Sequence, residues 1–234
     1  IPIVSSMLAV DVIGRNEKKY YGFIGAYGHR KANFIVAKSD LIISIGTRLD
    51  IRQVGAIKTN FAPNSKLIRI DIDKNEFARR IKNDEVQILA DAANVCEYLV
   101  SISHEQCCDK SEWLSVCEEI ASKLSQENEM CSNWYMEEIS KRISDNVVIT
   151  TDVGQNQVWA AQSFQVKDSQ KMLFSGGHGA MGYSLPAAIG AYYGSRQPVV
   201  SINGDGGVQM NIQELQFIDR EQLPIAIIIF NNAA

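Results

Sequence analysis

The 234-residue chain is expected to fold as two α/β domains, each built on a parallel, doubly wound sheet. Three observations predict this. Short continuous runs of Ile, Leu and Val recur along the chain, as strands buried on both faces require. Stretches of helical period separate those runs. The alternation breaks once, at "SISHEQCCDKS" from residue 101, where a linker begins. The two domains are therefore expected at residues 1–128 and 129–234.

The elements follow in order. "RKANFIVAKS" (30–39) reads as a helix and "DLIISIG" (40–46) as the strand after it. "KLIRIDID" (66–73) and "EVQILAD" (85–91) are two more strands, and "ANVCEYLVSI" (93–102) is a helix. Beyond the break, "EWLSVCEEIASKLSQ" (112–126) and "WYMEEISKRI" (134–143) are amphipathic helices. Strands resume with "VVIT" (147–150), "PVVSIN" (198–203) and "IAIIIF" (225–230).

Composition narrows the function classes. Hydrophobic residues make up 46% of the chain, which favours a packed core over disorder. The net charge of −4, with no basic block, argues against a nucleic-acid surface. No apolar run reaches the length of a membrane span, and "IPIVSSMLAV" has no basic n-region. Five cysteines, Cys96, Cys107, Cys108, Cys117 and Cys131, form no C-x-x-C pair. Reduced thiols in a cytoplasmic setting are expected, rather than disulfides or zinc.

The segment from Pro198 to Asn232 reads as one βαβ unit. Its first strand ends at Asn203, before "GDGG" (204–207). A helix is expected from about Gln209 to Arg220, and the second strand ends at Asn231 and Asn232. A right-handed crossover puts both carboxyl ends on one sheet edge, the edge where ligands bind in open α/β sheets. A carboxylate (Asp205) and an amide oxygen (Asn232) there suit Mg²⁺, which completes its shell with phosphate oxygens and water. Gly206 and Gly207 let backbone N–H groups approach a phosphate, and the helix behind them adds a favourable dipole. The spacing thus predicts a metal–diphosphate site. A tight βα turn capped by Asp205 is the plainer reading of "GDG" alone.

"GDGG" followed 24 residues later by "NN" resembles the signature of thiamine diphosphate-dependent enzymes. "TDVGQNQVWAAQ" (151–162), "SGGHGAMGYSLPAAIGA" (175–191) and "MNIQELQ" look like acetolactate synthase, the acetohydroxyacid synthase large subunit. "GFIGAYGHRKAN", "SDLIISIGTRLDIR" and "IRIDID" resemble that family's central domain. The resemblance implies that Asp205 and Asn232 bind Mg²⁺, and that Gly154, Gln155 and Asn156 lie at the diphosphate with Gly206 and Gly207. Asn156 stands where the family usually has His. The chain's catalytic residues would be Gly179, whose carbonyl accepts from the aminopyrimidine, and Met181, which wedges under the bent cofactor. His178 either faces substrate or is a loop histidine bonded to backbone; His29 and His104 have weaker claims.

The implied reaction decarboxylates pyruvate and joins the hydroxyethyl carbanion to a second 2-keto acid. The central domain of the family often binds FAD in a non-redox role, here pointing to Gly25, Gly28, Arg48 and Asp71. The family reads "RFDDR" where this chain has "RLDIR". The implied partners are 2-keto acids, a second identical subunit that supplies the activating Glu, and a regulatory small subunit. On this reading the chain is incomplete at both ends and inactive alone. A 2-keto acid decarboxylase, a cyclic diketone hydrolase and a non-catalytic nucleotide-binding module remain open as alternatives.

Overall fold

The computed structural model describes residues 1–14, 17–102, 110–124 and 131–232. The boundary expected near 128, His104, Cys107 and Cys108 lie outside the described residues. The chain divides into two compact units. One comprises Ile1–Ser6 and Tyr21–Ser125, the other Met7–Tyr20 and Gln126–Ala234.

In the first unit, β1 (Ile3–Ser5) and β2 (Tyr20–Phe23) pair as a two-stranded sheet. Helix α1 (Arg30–Lys38) leads into β3 (Leu41–Ile45), followed by the short α2 (Ile51–Val54), β4 (Lys66–Asp71), β5 (Val86–Leu89) and α3 (Ala92–Ile102). Strands β3, β4 and β5 form a parallel sheet in that order, with Ile43 beside Ile68 and Ile68 beside Val86. Asp50 starts α2 with a capping box: its side chain accepts from the N–H groups of Arg52 and Gln53, and Gln53 reaches back to the Asp50 N–H. Helix α4 (Ser111–Lys123) packs on α1 through Tyr21, Ile35 and Cys117.

Not every strand is covered on both faces. Leu41, Ile43, Val86 and Ile88 are exposed, and the register puts them on one face of the sheet. The other face holds Leu67 within an apolar cluster and Arg69, a buried cation. Arg69 pairs with buried Glu85 at 3.1 Å and donates to the carbonyls of Glu76 and Arg79. Glu85 also accepts from the backbone of Ile81 and Lys82 and from Gln87. The pair therefore staples the 74–85 connection onto the sheet.

The second unit contains α5 (Ser132–Arg142), β6 (Val148–Thr151), α6 (Gln155–Ser163), β7 (Lys171–Phe174), α7 (Ser184–Ser195), β8 (Val199–Gly204), α8 (Asp205–Met210), α9 (Glu214–Arg220) and β9 (Ile225–Phe230). Its parallel sheet has the order β7-β6-β8-β9. On one face Val148 and Val199 meet Ala188 of α7, and Thr150 bonds the Ser184 hydroxyl, which reaches Ser201 on β8. These small polar side chains let α7 lie close to the strands. Helix α6, itself packed on α5, contacts β6 and β8. Residues 7–14 belong to this unit: Asp11 accepts from the Met172 N–H of β7, and Val10 is fully buried.

Several features depart from the sequence reading, among them β1 and β2, which no apolar run marked. Strand β7 has four residues, too few for its apolar run to stand out. The helix expected from Gln209 begins at Asp205, directly off β8, and breaks after Met210 before α9 resumes at Glu214. At the break, Asn211 turns its side chain to donate to the Gly182 carbonyl at 2.8 Å.

Candidate active site at the carboxyl edge of the second sheet

All four strands of the second sheet run parallel, so their carboxyl ends share one edge. That edge receives four segments: 152–156 after β6, 175–183 after β7, 205–207 after β8, and Asn231–Asn232 after β9. The strand order reverses direction between β6 and β8. A crevice at such a switch point is the favoured ligand site of an open α/β sheet.

The predicted residues converge there. Asn232 Nδ2 donates to Gln155 Oε1 at 3.5 Å, linking the segments after β9 and β6. Strand β8 lies between those two strands, so half-buried Asp205, which follows it, leaves the same edge between the ends of β6 and β9. Gly154 caps α6 with φ 137°, a conformation that favours glycine. The first N–H groups of α6 thus open onto the edge with the positive end of the helix dipole. Asn156 is buried, with its amide nitrogen close against Gly154 and Gly204. Gly179 has φ 70°, and Met181 is 53% exposed. His178 is exposed in the same loop.

The two glycines of "GDGG" differ. Gly206 is exposed, and an added Cβ there would meet nothing within 4 Å. Gly207 is buried, and a Cβ there would run into Asp152 Oδ2. Asp152 was not singled out by the sequence. It is fully buried and accepts from the N–H groups of Val153 (2.8 Å), Tyr183 (3.0 Å) and Gly182 (3.2 Å). Burial pushes its carboxyl above the ordinary range, against the pull of those three bonds. The only available signal was its place one residue past a strand end.

The arrangement suits a diphosphate-bearing cofactor and a hard cation. Asp205 and Asn232 offer one carboxylate and one amide oxygen, a donor set proper to Mg²⁺. Gly206, Gly177 and Gly179 have open space where a side chain would stand. Among the described residues, Asn156 Oδ1, Gln157 Nε2, Asn203 Oδ1 and Thr151 Oγ1 are buried without a hydrogen-bond partner, all at the ends of β6 and β8 or just beyond. Buried polar atoms normally find partners, so this concentration marks a place where something polar is to be met. Among the described residues no group of three or more His, Cys, Asp or Glu gathers, so a metal cage made by protein alone is not found there.

The residues implicated in flavin binding lie in the first unit. Arg48 follows β3, and Asp71 ends the adjacent parallel β4. Arg48 pairs with Glu76 at 3.2 Å, and Asp71 accepts from the Asp73 N–H. Gly25 and Gly28 have reasons within the chain to lack a side chain: a Cβ at Gly25 would strike the Arg52 carbonyl, and one at Gly28 the Phe23 carbonyl. His29 accepts from the Phe23 N–H at 3.2 Å and packs edge-on to that ring, a structural role.

Comparisons with known proteins agree with this geometry. Residues 1–99 match the central domain of thiamine pyrophosphate enzymes, and residues 152–234 match the C-terminal TPP binding domain. The chain is 33% identical over 240 residues to the acetolactate synthase isozyme 1 large subunit of Escherichia coli (strain K12), covering 100% of this chain and 42% of the relative. It is 35% identical over 246 residues to the probable acetolactate synthase large subunit of Methanocaldococcus jannaschii, covering 99% of this chain and 41% of the relative. It is 34% identical over 242 residues to the acetolactate synthase large subunit of Corynebacterium glutamicum, covering 99% and 38%. The chain thus spans about two-fifths of the length of these relatives.

Proposed function

Because the chain belongs to the thiamine pyrophosphate enzymes, with acetolactate synthase large subunits as relatives, we propose that the complete protein is a thiamine diphosphate- and Mg²⁺-dependent carboligase. It would decarboxylate pyruvate and join the two-carbon unit to a second 2-keto acid. One observation carries this reading: Asp205, Asn232, Gln155 and the Gly179–Met181 loop all leave the carboxyl ends of one parallel sheet.

When bound, thiamine diphosphate supplies a carbon nucleophile that adds to a keto carbon and takes up the electrons freed by decarboxylation. The chain's own residues bind and orient. Asp205 and Asn232 hold Mg²⁺ against the diphosphate. The N-terminal turn of α6, from Gly154 through Gln155, offers N–H donors to the same anion. The Gly179 carbonyl would accept a hydrogen bond from the aminopyrimidine, and Met181 would pack against the cofactor. The partners that fit are 2-keto acids, a second copy of the protein and, since the relatives are named as large subunits, a small regulatory subunit.

The test is acetolactate formation from pyruvate by the complete protein supplied with Mg²⁺ and thiamine diphosphate. Accumulation of acetolactate supports the reading. Release of acetaldehyde alone would indicate a 2-keto acid decarboxylase, and no consumption of pyruvate would end the carboligase assignment.

FAD binding by the first unit is a second reading. It is favoured by Arg48 and Asp71 standing at the carboxyl edge of one parallel sheet. A flavin absorbance band on the purified complete protein would support it. A colourless protein that takes up no added FAD would remove it.

A further inference from the structure

We propose that Asp152 is a positioning residue of the cofactor site, acting through Gly182 to fix Met181 and through Gly207 to fix the start of α8. The inference rests on the thiamine diphosphate reading above.

Asp152 is a carboxyl group placed in the core, and among the described residues no Lys or Arg pairs with it. Burying so polar a group is costly unless it is hydrogen-bonded, and its bonds show what it gives there. It gives acceptor capacity at both oxygens. Oδ1 takes the N–H groups of Val153 and Tyr183, while Oδ2 takes that of Gly182. An asparagine would put a donor against one of those donors.

The carboxylate sits where three strand-end segments meet. It follows β6 directly, bonds the segment after β7, and lies against Gly207 in the first turn after β8. Asp205 begins that same turn, so the Asp152–Gly207 contact sets the spacing between the metal ligand and the Met181 loop.

Gly182 is held from its other side as well. Its carbonyl accepts from Asn211 Nδ2 at 2.8 Å, and a Cβ on Gly182 would sit 2.7 Å from that nitrogen and 2.8 Å from Met210 Cβ. Gly182 is thus clasped between Asp152 and Asn211 with no room to shift. Met181, by contrast, is 53% exposed, and its own packing does not fix it. Its place depends on the backbone of the residue that follows it. Asp152 and Asn211 supply that restraint from two separate elements.

The experiment is a double-mutant cycle on thiamine diphosphate affinity, measured by calorimetry with Mg²⁺ in the complete protein. The four proteins are wild type, Asp152→Asn, Met181→Ala and the double variant. Removing one charge-assisted bond and setting a donor against a donor should weaken binding about 10- to 100-fold. If Asp152 acts through Met181, the two losses fall clearly short of multiplying in the double variant, because only the part carried through Gly207 is left to lose once Met181 is gone. A general loss of structure would instead make the two effects multiply. Full multiplication, or Asp152→Asn binding within twofold of wild type, overturns the proposal. Should Asp152→Asn fail to fold, Asn211→Ala opens the other side of the clasp, and the same cycle with Met181→Ala applies to it. A wild type that binds no thiamine diphosphate would overturn the cofactor reading itself, an outcome distinct from any of these.

Discussion

Replacing Gly207 with alanine should unseat a buried carboxylate, whereas the same change at the adjacent Gly206 should not. Both glycines lie in the first turn of α8. The new methyl group at 207 would overlap Oδ2 of Asp152, a carboxyl group that has no solvent to retreat into and is held by three N–H donors, two on Oδ1 and that of Gly182 on Oδ2. Overpacking alone costs about 1–3 kcal/mol. Displacing the carboxylate far enough to lose even one bond adds about 1.5–3 kcal/mol, since its charge stays buried. The sum, roughly 3–6 kcal/mol, is a large part of the 5–15 kcal/mol by which domains are typically stable. At Gly206 the methyl group meets open space, and the helix gains up to about 1 kcal/mol from the better helix former. Urea unfolding of the complete protein, followed by tryptophan fluorescence, measures both. Gly207→Ala as stable as wild type to within about 0.5 kcal/mol would refute the claim that Asp152 occupies that space. Gly206→Ala also serves the site: a fold that is intact but binds thiamine diphosphate weakly would mark Gly206 as the place where backbone meets phosphate.

Two further outcomes follow from the first unit. Burial alone would raise the Glu85 carboxyl, but donors from Gln87, Lys82, Ile81 and Arg69 outweigh it and hold it below the ordinary range. A depressed folded-state value means that Glu85 stabilises the fold above its unfolded pKa and loses that contribution as pH falls through the folded value. Glu85→Gln should therefore cost about 3–5 kcal/mol at neutral pH by leaving Arg69 unpaired in the core, with the gap to wild type closing in acid. Urea midpoints taken from pH 7 downward test this, and a pH-independent gap would contradict it. Burial, in turn, pushes the Cys117 thiol up to about 11. At pH 8 a thiol reagent should label exposed Cys96 and Cys131 in the native protein and reach Cys117 only on unfolding; rapid native labelling of Cys117 would show that the α1–α4 packing is wrong.

The apolar runs made most strands legible because short clusters of Ile, Leu and Val bounded by turn residues are typical of strands in a parallel sheet. "IAIIIF" matches β9 residue for residue, and "DLIISIG" brackets β3. Strand β7 escaped notice because "KMLF" is too short to show a period. The open face of β3 and β5 could not be read either, since continuous apolar runs look the same whether one face or two are covered. At the site, Asp205 and Asn232 were legible because the βαβ spacing forces their strand ends together. Asp152 was not. Its meaning comes from Gly182 and Gly207, which are 30 and 55 residues away in sequence and reach it only once β6, β7 and β8 lie side by side. The start of α8 was misplaced for a related reason. Glycine normally argues against a helix, but here Gly207 is inside one because Asp152 leaves no space for a side chain.

Metal-dependent cofactor binding at Asp205 tests the central claim most directly. Thiamine diphosphate is titrated calorimetrically into the complete protein with Mg²⁺, with a chelator in place of Mg²⁺, and with Mg²⁺ into Asp205→Ala. Saturable binding that needs the cation and falls at least about tenfold in the variant is the predicted result. Equal affinity in all three titrations would show that the carboxyl edge of the second sheet is not where the cation and the diphosphate meet.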